Sequence, residues 1–167
     1  MRFHLPATLF FSALSAAPVL AGQEVVAVWT SSTFSTVGPS GSHVWDAGFS
    51  LIGKNGEVIY NEAYPDGYKP CIHAGQEFQL EGGCLGGAWY SFRCKANPIS
   101  IPEKCEVMGP DGKSVGTGDG EDSTDFFGLG ISMTGGCKVK FELWDGIDCQ
   151  NGSGDLVPHD TDWNSWK

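Results

Sequence analysis

The sequence predicts an all-β domain, a disulfide-braced β-sandwich or small barrel of about seven or eight antiparallel strands. Three observations favour this class. The chain has 24 glycines among 167 residues, and glycine or proline interrupts it about every ten residues, as in proteins built from short strands. The segments between these breaks are rich in β-branched and aromatic residues, and none forms a convincing amphipathic helix. The chain also has six cysteines, which are spaced between Cys71 and Cys149.

The first strands are predicted before the first cysteine. Residues 25–29 form an apolar strand, and a Ser/Thr/Gly-rich segment over residues 30–42 is expected to be a flexible connection. Alternate apolar residues from Trp45 to Leu51 then share one face of a second strand. The Asn55-Gly56 pair predicts a hairpin into a third strand at residues 57–60.

The middle of the chain contains three shorter strands. They are predicted around Phe78 and Leu80, at residues 89–94 and around residues 105–107. The last of these ends in a Gly-Pro-Asp-Gly sequence at residues 109–112, whose residue types favour a turn.

The last third of the chain combines a polar segment with a predicted hairpin. Residues 116–124 are expected to form a long polar loop. Residues 127–133 and 137–144 alternate apolar and polar side chains, which predicts two half-buried strands. Thr134-Gly135-Gly136 lies between them and is predicted to be the hairpin loop.

The first 21 residues resemble an export signal in their physical pattern. Arg2 precedes an apolar run from Leu9 to Ala17, and small residues stand at the positions that a signal peptidase recognises, up to Ala21. We therefore expect residues 22–167 to form a single secreted, extracellular domain. No later stretch approaches the ~20 apolar residues of a membrane helix.

The charge of the expected mature chain excludes some partners. It has nine basic and twenty acidic side chains, so its net charge is −11. Such an acidic protein is not expected to bind nucleic acid, which requires clustered cations, or an anionic membrane surface. We expect a soluble monomer whose partner is a host extracellular or cell-surface protein or glycan.

The cysteines predict three disulfides, because their number is even and the chain is expected to be exported. They are Cys71, Cys84, Cys94, Cys105, Cys137 and Cys149. No Cys-x-x-Cys or Cys/His spacing suggests a metal site in their place. The sequence does not choose among the pairings.

Two acidic segments could carry chemistry. The first contains Asp119, Glu121, Asp122 and Asp125, and it is either a solvated loop or a weak calcium site, since calcium prefers several oxygen ligands. The spacing is not that of an EF-hand, and we expect no other cofactor.

The second acidic segment contains Asp145 and Asp148 in a glycine turn, where paired carboxylates could serve a glycan hydrolase. Aspartates in such turns more often have a structural role. His43, His73 and His159 belong to no hydrolase motif. We therefore assign no catalytic residue and expect a protein that is not an enzyme.

Exposed tryptophans are the predicted binding residues. Trp144 continues the solvent-facing phase of its strand, and Trp89 is the second candidate. Such rings offer large rigid contact surfaces, although Trp163 and Trp166 in the tail could instead cover the domain. Asn151 begins an Asn-Gly-Ser glycosylation sequon.

The sequence also resembles some fungal secreted proteins. Its leader, length, acidity and cysteines are similar to those of small cysteine-rich proteins exported by filamentous fungi, many of which are effectors delivered to a host plant. The segment from Cys137 to Ser153 resembles the strand, turn, cysteine and glycine pattern of fungal proteins with crystallin-like or killer-toxin-like Greek-key folds. The run from Val44 to Cys71 resembles the start of the fungal major-allergen β-barrel family.

These resemblances imply a secreted effector or virulence factor that binds a host target. A toxin or antimicrobial protein directed against competing microbes is the first alternative. A small secreted glycan hydrolase is the second.

Overall fold

The computed structural model describes residues 22–36, 43–67, 71, 77–98, 101–127, 130–144, 146–149 and 156–160. Within these residues, nine strands form one antiparallel sheet in the order β3-β2-β1-β8-β7-β6-β5-β4-β9. The strands are β1 (Glu24–Thr36), β2 (His43–Gly53), β3 (Val58–Glu62), β4 (Glu77–Gly82), β5 (Trp89–Ala96), β6 (Pro102–Met108), β7 (Ser114–Phe127), β8 (Gly130–Glu142) and β9 (Leu156–Asp160). The predicted all-β, disulfide-braced class is confirmed, and the described strands number nine rather than seven or eight.

The sheet curls into a nearly closed barrel. Its two edge strands are β3 and β9. The short 3-10 turn at Pro65–Gly67, which follows β3, contacts β9 and so brings the two edges together. A second 3-10 turn, Gly83–Leu85, joins β4 to β5, and these two turns are the helical segments of the described residues.

Alternation along the strands places apolar side chains inside the barrel. In β1, Val25, Ala27 and Trp29 are buried in turn, as strand geometry requires when one face meets a core. Aromatic rings fill the centre: Phe49 of β2 lies 4.8 Å from Phe78 of β4 and 5.0 Å from Phe92 of β5, measured between ring centroids. The two halves of the sheet therefore share one core.

The barrel interior is filled by these side chains. The internal space between the two halves of the sheet has a volume of about 20 Å³ and is lined by core residues such as Phe49, Phe92 and Phe141. A single water molecule requires at least ~10–15 Å³ of such space, so there is no room for an organic ligand. Any binding surface of the described residues must lie on the outside.

Strand β7 changes its partner halfway along its length. It pairs with β6 up to Asp119 and with β8 from Gly120 onward. At this crossing, β7 and β8 approach so closely that a Cβ atom on Gly118 would lie 1.9 Å from the carbonyl oxygen of Lys138. A Cβ on Gly116 would lie 2.5 Å from the carbonyl oxygen of Lys140. Only glycine fits at these positions.

Three disulfides use all six cysteines and connect segments that are distant in sequence. Cys105–Cys137 joins β6 to β8 beside the glycine crossing. The other two pairs are Cys71–Cys94 and Cys84–Cys149. The last of these closes the largest loop, with a sequence separation of 65 residues.

Three expectations about loops are wrong. Residues 30–36 of the predicted flexible connection belong to β1, the predicted polar loop at residues 116–124 lies within β7, and the predicted hairpin loop at residues 134–136 lies inside β8. In each case a hydrogen-bond ladder with a neighbouring strand outweighs a composition rich in Gly, Ser and Thr.

Several predictions fall outside the described residues. They include the export signal at residues 1–21, the sequon at Asn151 and the tail tryptophans Trp163 and Trp166. Among the described residues, no helix has the length and apolar character needed to span a membrane.

Candidate functional site

An open groove crosses the outer face of four neighbouring strands, β2, β1, β8 and β7. Its volume is about 930 Å³. The register places Gly48, Thr30, Gly136 and Glu121 side by side in one row across these strands. Two of the four positions have no side chain, so the sheet surface is hollow along this row.

The adjacent row forms a polar border of the groove. It contains Asp46, Ser32, Thr134 and Ser123, one from each strand. The hydroxyl oxygens of Ser123 and Thr134 are 2.6 Å apart and hydrogen-bonded, which links β7 to β8 at the surface. The groove therefore offers hydroxyl groups on a hydrogen-bonded, pre-formed surface.

The groove has a negative electrostatic character. Three exposed carboxylates of the outer face line it, while Lys138 supplies one ammonium group. The carboxylates belong to Asp46 in β2 and to Asp119 and Glu121 in β7. A cleft with an excess of one charge raises the local concentration of ligands that carry the opposite charge. The arrangement can therefore attract a cationic group and offer it hydroxyl and carboxylate acceptors.

The predicted calcium-binding segment lies in β7 rather than in a loop. Alternation places Asp119 and Glu121 on the outer face and Asp122 on the opposite face, so these carboxylates do not converge from one loop. Within the described residues, no three His, Cys, Asp or Glu side chains are grouped so that they could hold a metal ion. The side chain of Asp125 lies outside the described set.

The predicted binding tryptophans lie away from the groove. Trp144 is 46% exposed, as its phase predicted, and its backbone N–H donates a hydrogen bond of 2.8 Å to the hydroxyl of Tyr90. Trp89, the residue before Tyr90, is half-buried. Neither ring lines the groove, so the structure does not combine the predicted aromatic and acidic residues in one site.

Among the described residues, the candidates for a catalytic role do not form a catalytic arrangement. His159 Nε2 lies 2.7 Å from Glu81 Oε1, and both side chains are about half exposed, as in an ordinary surface pair. Asp148 is exposed in the turn before Cys149. Asp145 and the side chains of His43 and His73 lie outside the described residues.

A buried charged row on the outer face was not foreseen from the sequence. The register aligns Glu77 of β4, Arg93 of β5 and Glu106 of β6. Arg93 donates from Nε and Nη2 to Glu106 Oε2, at 2.9 and 2.6 Å. A hydrophobic alternation alone could not reveal this row, because these residues occupy the solvent-facing phase of their strands.

The two glutamates in this row have opposite pKa shifts. Desolvation by burial raises the pKa of Glu77, more than the nearby Ser91 hydroxyl and the Arg93 guanidinium lower it. Burial also acts to raise the pKa of Glu106, but hydrogen bonds from Ser114 and Arg93 together lower it below its usual value.

Such a pair could in principle provide an acid and a base. However, Glu77 is only 5% exposed, and its neighbours on this face, Ser91 and Met108, are 1% and 6% exposed. The Glu77 carboxyl is therefore shielded from solvent, and the Glu106 side chain is only 13% exposed, which favours a structural role for this row.

The groove residues outside β7 were missed by the sequence analysis. Thr30 and Ser32 were assigned to a flexible connection and Thr134 to Gly136 to a hairpin loop, so their place on a sheet surface could not be seen. Comparison with protein-family models, curated proteins and solved structures found no match to this chain.

Proposed function

We propose that this chain is a non-catalytic binding protein that acts outside the cell that makes it and recognises its target through the outer groove. The observation that carries the proposal is a filled barrel with an open acidic groove on its surface. The described side chains leave only about 20 Å³ inside the barrel, which is too small for an organic ligand. An open groove with charged and hydroxyl side chains is suited to a macromolecular surface.

The three disulfides support an extracellular role, because such bonds persist in oxidising spaces. The setting that the fungal resemblance implies is a host, in which the protein acts as an effector. The target presents basic side chains, since three carboxylates of the outer face outnumber the one ammonium group in the groove. Rim charges of this kind chiefly raise the association rate and make binding sensitive to salt.

The test uses target proteins captured from host extracellular fluid by the full secreted chain. Affinity for the captured target is measured with the double variant Asp46→Asn/Asp119→Asn, which removes two groove carboxylates. We expect an affinity loss of about tenfold at low salt, equivalent to roughly two exposed ion pairs. This loss should shrink as the salt concentration rises.

A matched control removes two carboxylates from the same sheet outside the groove. Glu24 and Glu142 are exposed, and they are cross-strand neighbours in β1 and β8. Glu24→Gln/Glu142→Gln should leave the affinity within about twofold. Equal losses of affinity in both double variants would show that the effect depends only on the net charge of the protein. That result would refute the groove as the binding site. Inhibition of microbial growth, or glycan hydrolysis abolished by Asp148→Asn, would instead favour the toxin or the hydrolase.

A further inference from the structure

Among the described residues, the second half of β7 is paired along one edge only. From Gly120 to Phe127, β7 pairs with β8 on one side. On the other side, the ladder with β6 ends at Lys104↔Asp119, and the described residues contain no strand paired with β7 beyond it. A strand edge with unpaired N–H and C=O groups is a template for another extended segment.

We propose that this edge binds an extended, basic segment of the target protein as an added antiparallel strand. The inference rests on the proposed function and specifies how the target is bound. In this mode, main-chain hydrogen bonds supply affinity and alternate side chains supply specificity. The added strand would lie beside the acidic side of the groove, because Glu121 belongs to both features.

The side chains along the edge define the partner. Phe126 is 75% exposed and offers an apolar anchor at one end. Asp122 lies on the same side of the strand as Phe126, and Glu121 lies on the other side. An antiparallel segment that matches this edge places an apolar residue opposite Phe126. Four and five positions later it places two basic residues opposite Asp122 and Glu121.

A second copy of this chain fits the edge poorly. Pairing of two β7 edges would bring the exposed carboxylates of Glu121 and Asp122 from both copies to one small surface, where like charges repel each other. Charge complementarity therefore favours a basic partner over self-association.

The test uses a labelled peptide, Thr-Ile-Thr-Val-Thr-Lys-Arg-Thr, and the full chain. We expect saturable binding at low salt, together with increased hydrogen-exchange protection of backbone amides between Gly120 and Phe127. Glu121→Gln/Asp122→Asn should weaken binding about tenfold, whereas Glu24→Gln/Glu142→Gln should change it less than about twofold.

A peptide that is N-methylated on the alternate backbone amides whose N–H groups face β7 keeps every side chain and charge but loses all of its donors to this edge. It should lose all measurable binding. Equal binding of both peptides would show an unspecific charge effect and overturn the proposal. So would full protection of the β7 amides in the free chain, which means that the edge is already covered, or a concentration-dependent dimer that protects them.

The two proposals fail in different ways. Strand addition is overturned, and the groove is left in place, if Asp46→Asn/Asp119→Asn weakens binding of the captured target but the peptide does not displace that target. The groove alone is overturned if the peptide protects the edge but the groove variant binds the target normally.

Discussion

Replacement of Gly118 by alanine tests how closely β7 and β8 cross. The new Cβ would lie 1.9 Å from the carbonyl oxygen of Lys138 and 2.8 Å from its carbonyl carbon. Both are backbone atoms, so neither can move away by a side-chain rotation. Gly118 is not among the glycines with positive φ, so the expected cost is steric and does not come from backbone torsion.

The size of the effect follows from these distances. A carbon and a carbonyl oxygen in ordinary contact are about 3.3 Å apart, so the strands would have to separate locally by roughly 1.4 Å. The Cys105–Cys137 disulfide connects β6 to β8 at this crossing and resists such a shift. Overpacking of a core commonly costs 1–3 kcal/mol. Because only backbone can yield, we expect a loss of about 3 kcal/mol or more in the free energy of unfolding.

Urea denaturation of the disulfide-intact chain, followed by tryptophan fluorescence, measures this loss. Gly48→Ala is the matched control, since the nearest atom to its Cβ is Thr30 Oγ1 at 3.9 Å. The control should stay within about 0.5 kcal/mol of the parent. A loss below about 1 kcal/mol for Gly118→Ala, at an unchanged denaturant slope, would refute the close crossing.

Three further predictions concern covalent and charged contacts. Replacement of Cys84 and Cys149 by alanine opens a loop of 65 residues and should lower the free energy of unfolding by about 4 kcal/mol in urea; a loss below ~1 kcal/mol would contradict this. Glu106→Gln removes the carboxylate that accepts two hydrogen bonds from Arg93 and should cost about 3 kcal/mol at pH 7. The lowered pKa of Glu106 means that this cost should shrink in acid as the parent's carboxylate becomes protonated. The raised pKa of Glu77 has the opposite effect, because the parent loses stability as the pH rises above the usual glutamate pKa. Glu77→Gln should therefore gain stability relative to the parent between pH 4 and pH 7. Denaturation at both pH values checks these signs, and an unchanged difference would contradict either one.

The fold class was predictable because apolar alternation is a direct signal of a half-buried strand. Val139 and Phe141 of β8 alternate with exposed Lys138 and Lys140, as the sequence indicated. The long strand β7 was missed for a related reason. Its inward positions contain glycines at 116, 118 and 120, so the period of two is present but is not apolar. Alternating glycine is the signal that could have revealed a close strand crossing.

The candidate site was less predictable, because it depends on register and strand order. Gly48, Thr30, Gly136 and Glu121 become neighbours only when four strands from opposite parts of the chain pair in one register. No local pattern specifies that arrangement. Trp144 lies just beyond the end of β8, but the alternation continues there, with Leu143 buried and Trp144 exposed, so its exposure was predictable from the local phase.

The two halves of strand β7 are expected to differ in their contributions, the first to stability and the second, under the proposed strand addition, to binding. In its first half, Gly116 and Gly118 lie too close to the β8 backbone for a larger residue to fit. This half also lies beside the Cys105–Cys137 disulfide. Among the described residues, its second half pairs with β8 alone, and Glu121 and Asp122 in it are exposed.

Substitutions in the first half should therefore change stability, while conservative substitutions of the exposed acids should change binding with little effect on folding. Glu121→Gln/Asp122→Asn should unfold in urea within about 0.5 kcal/mol of the parent. A larger loss would mean that these carboxylates stabilise the fold, and the weakened binding of that variant would then no longer be evidence for strand addition.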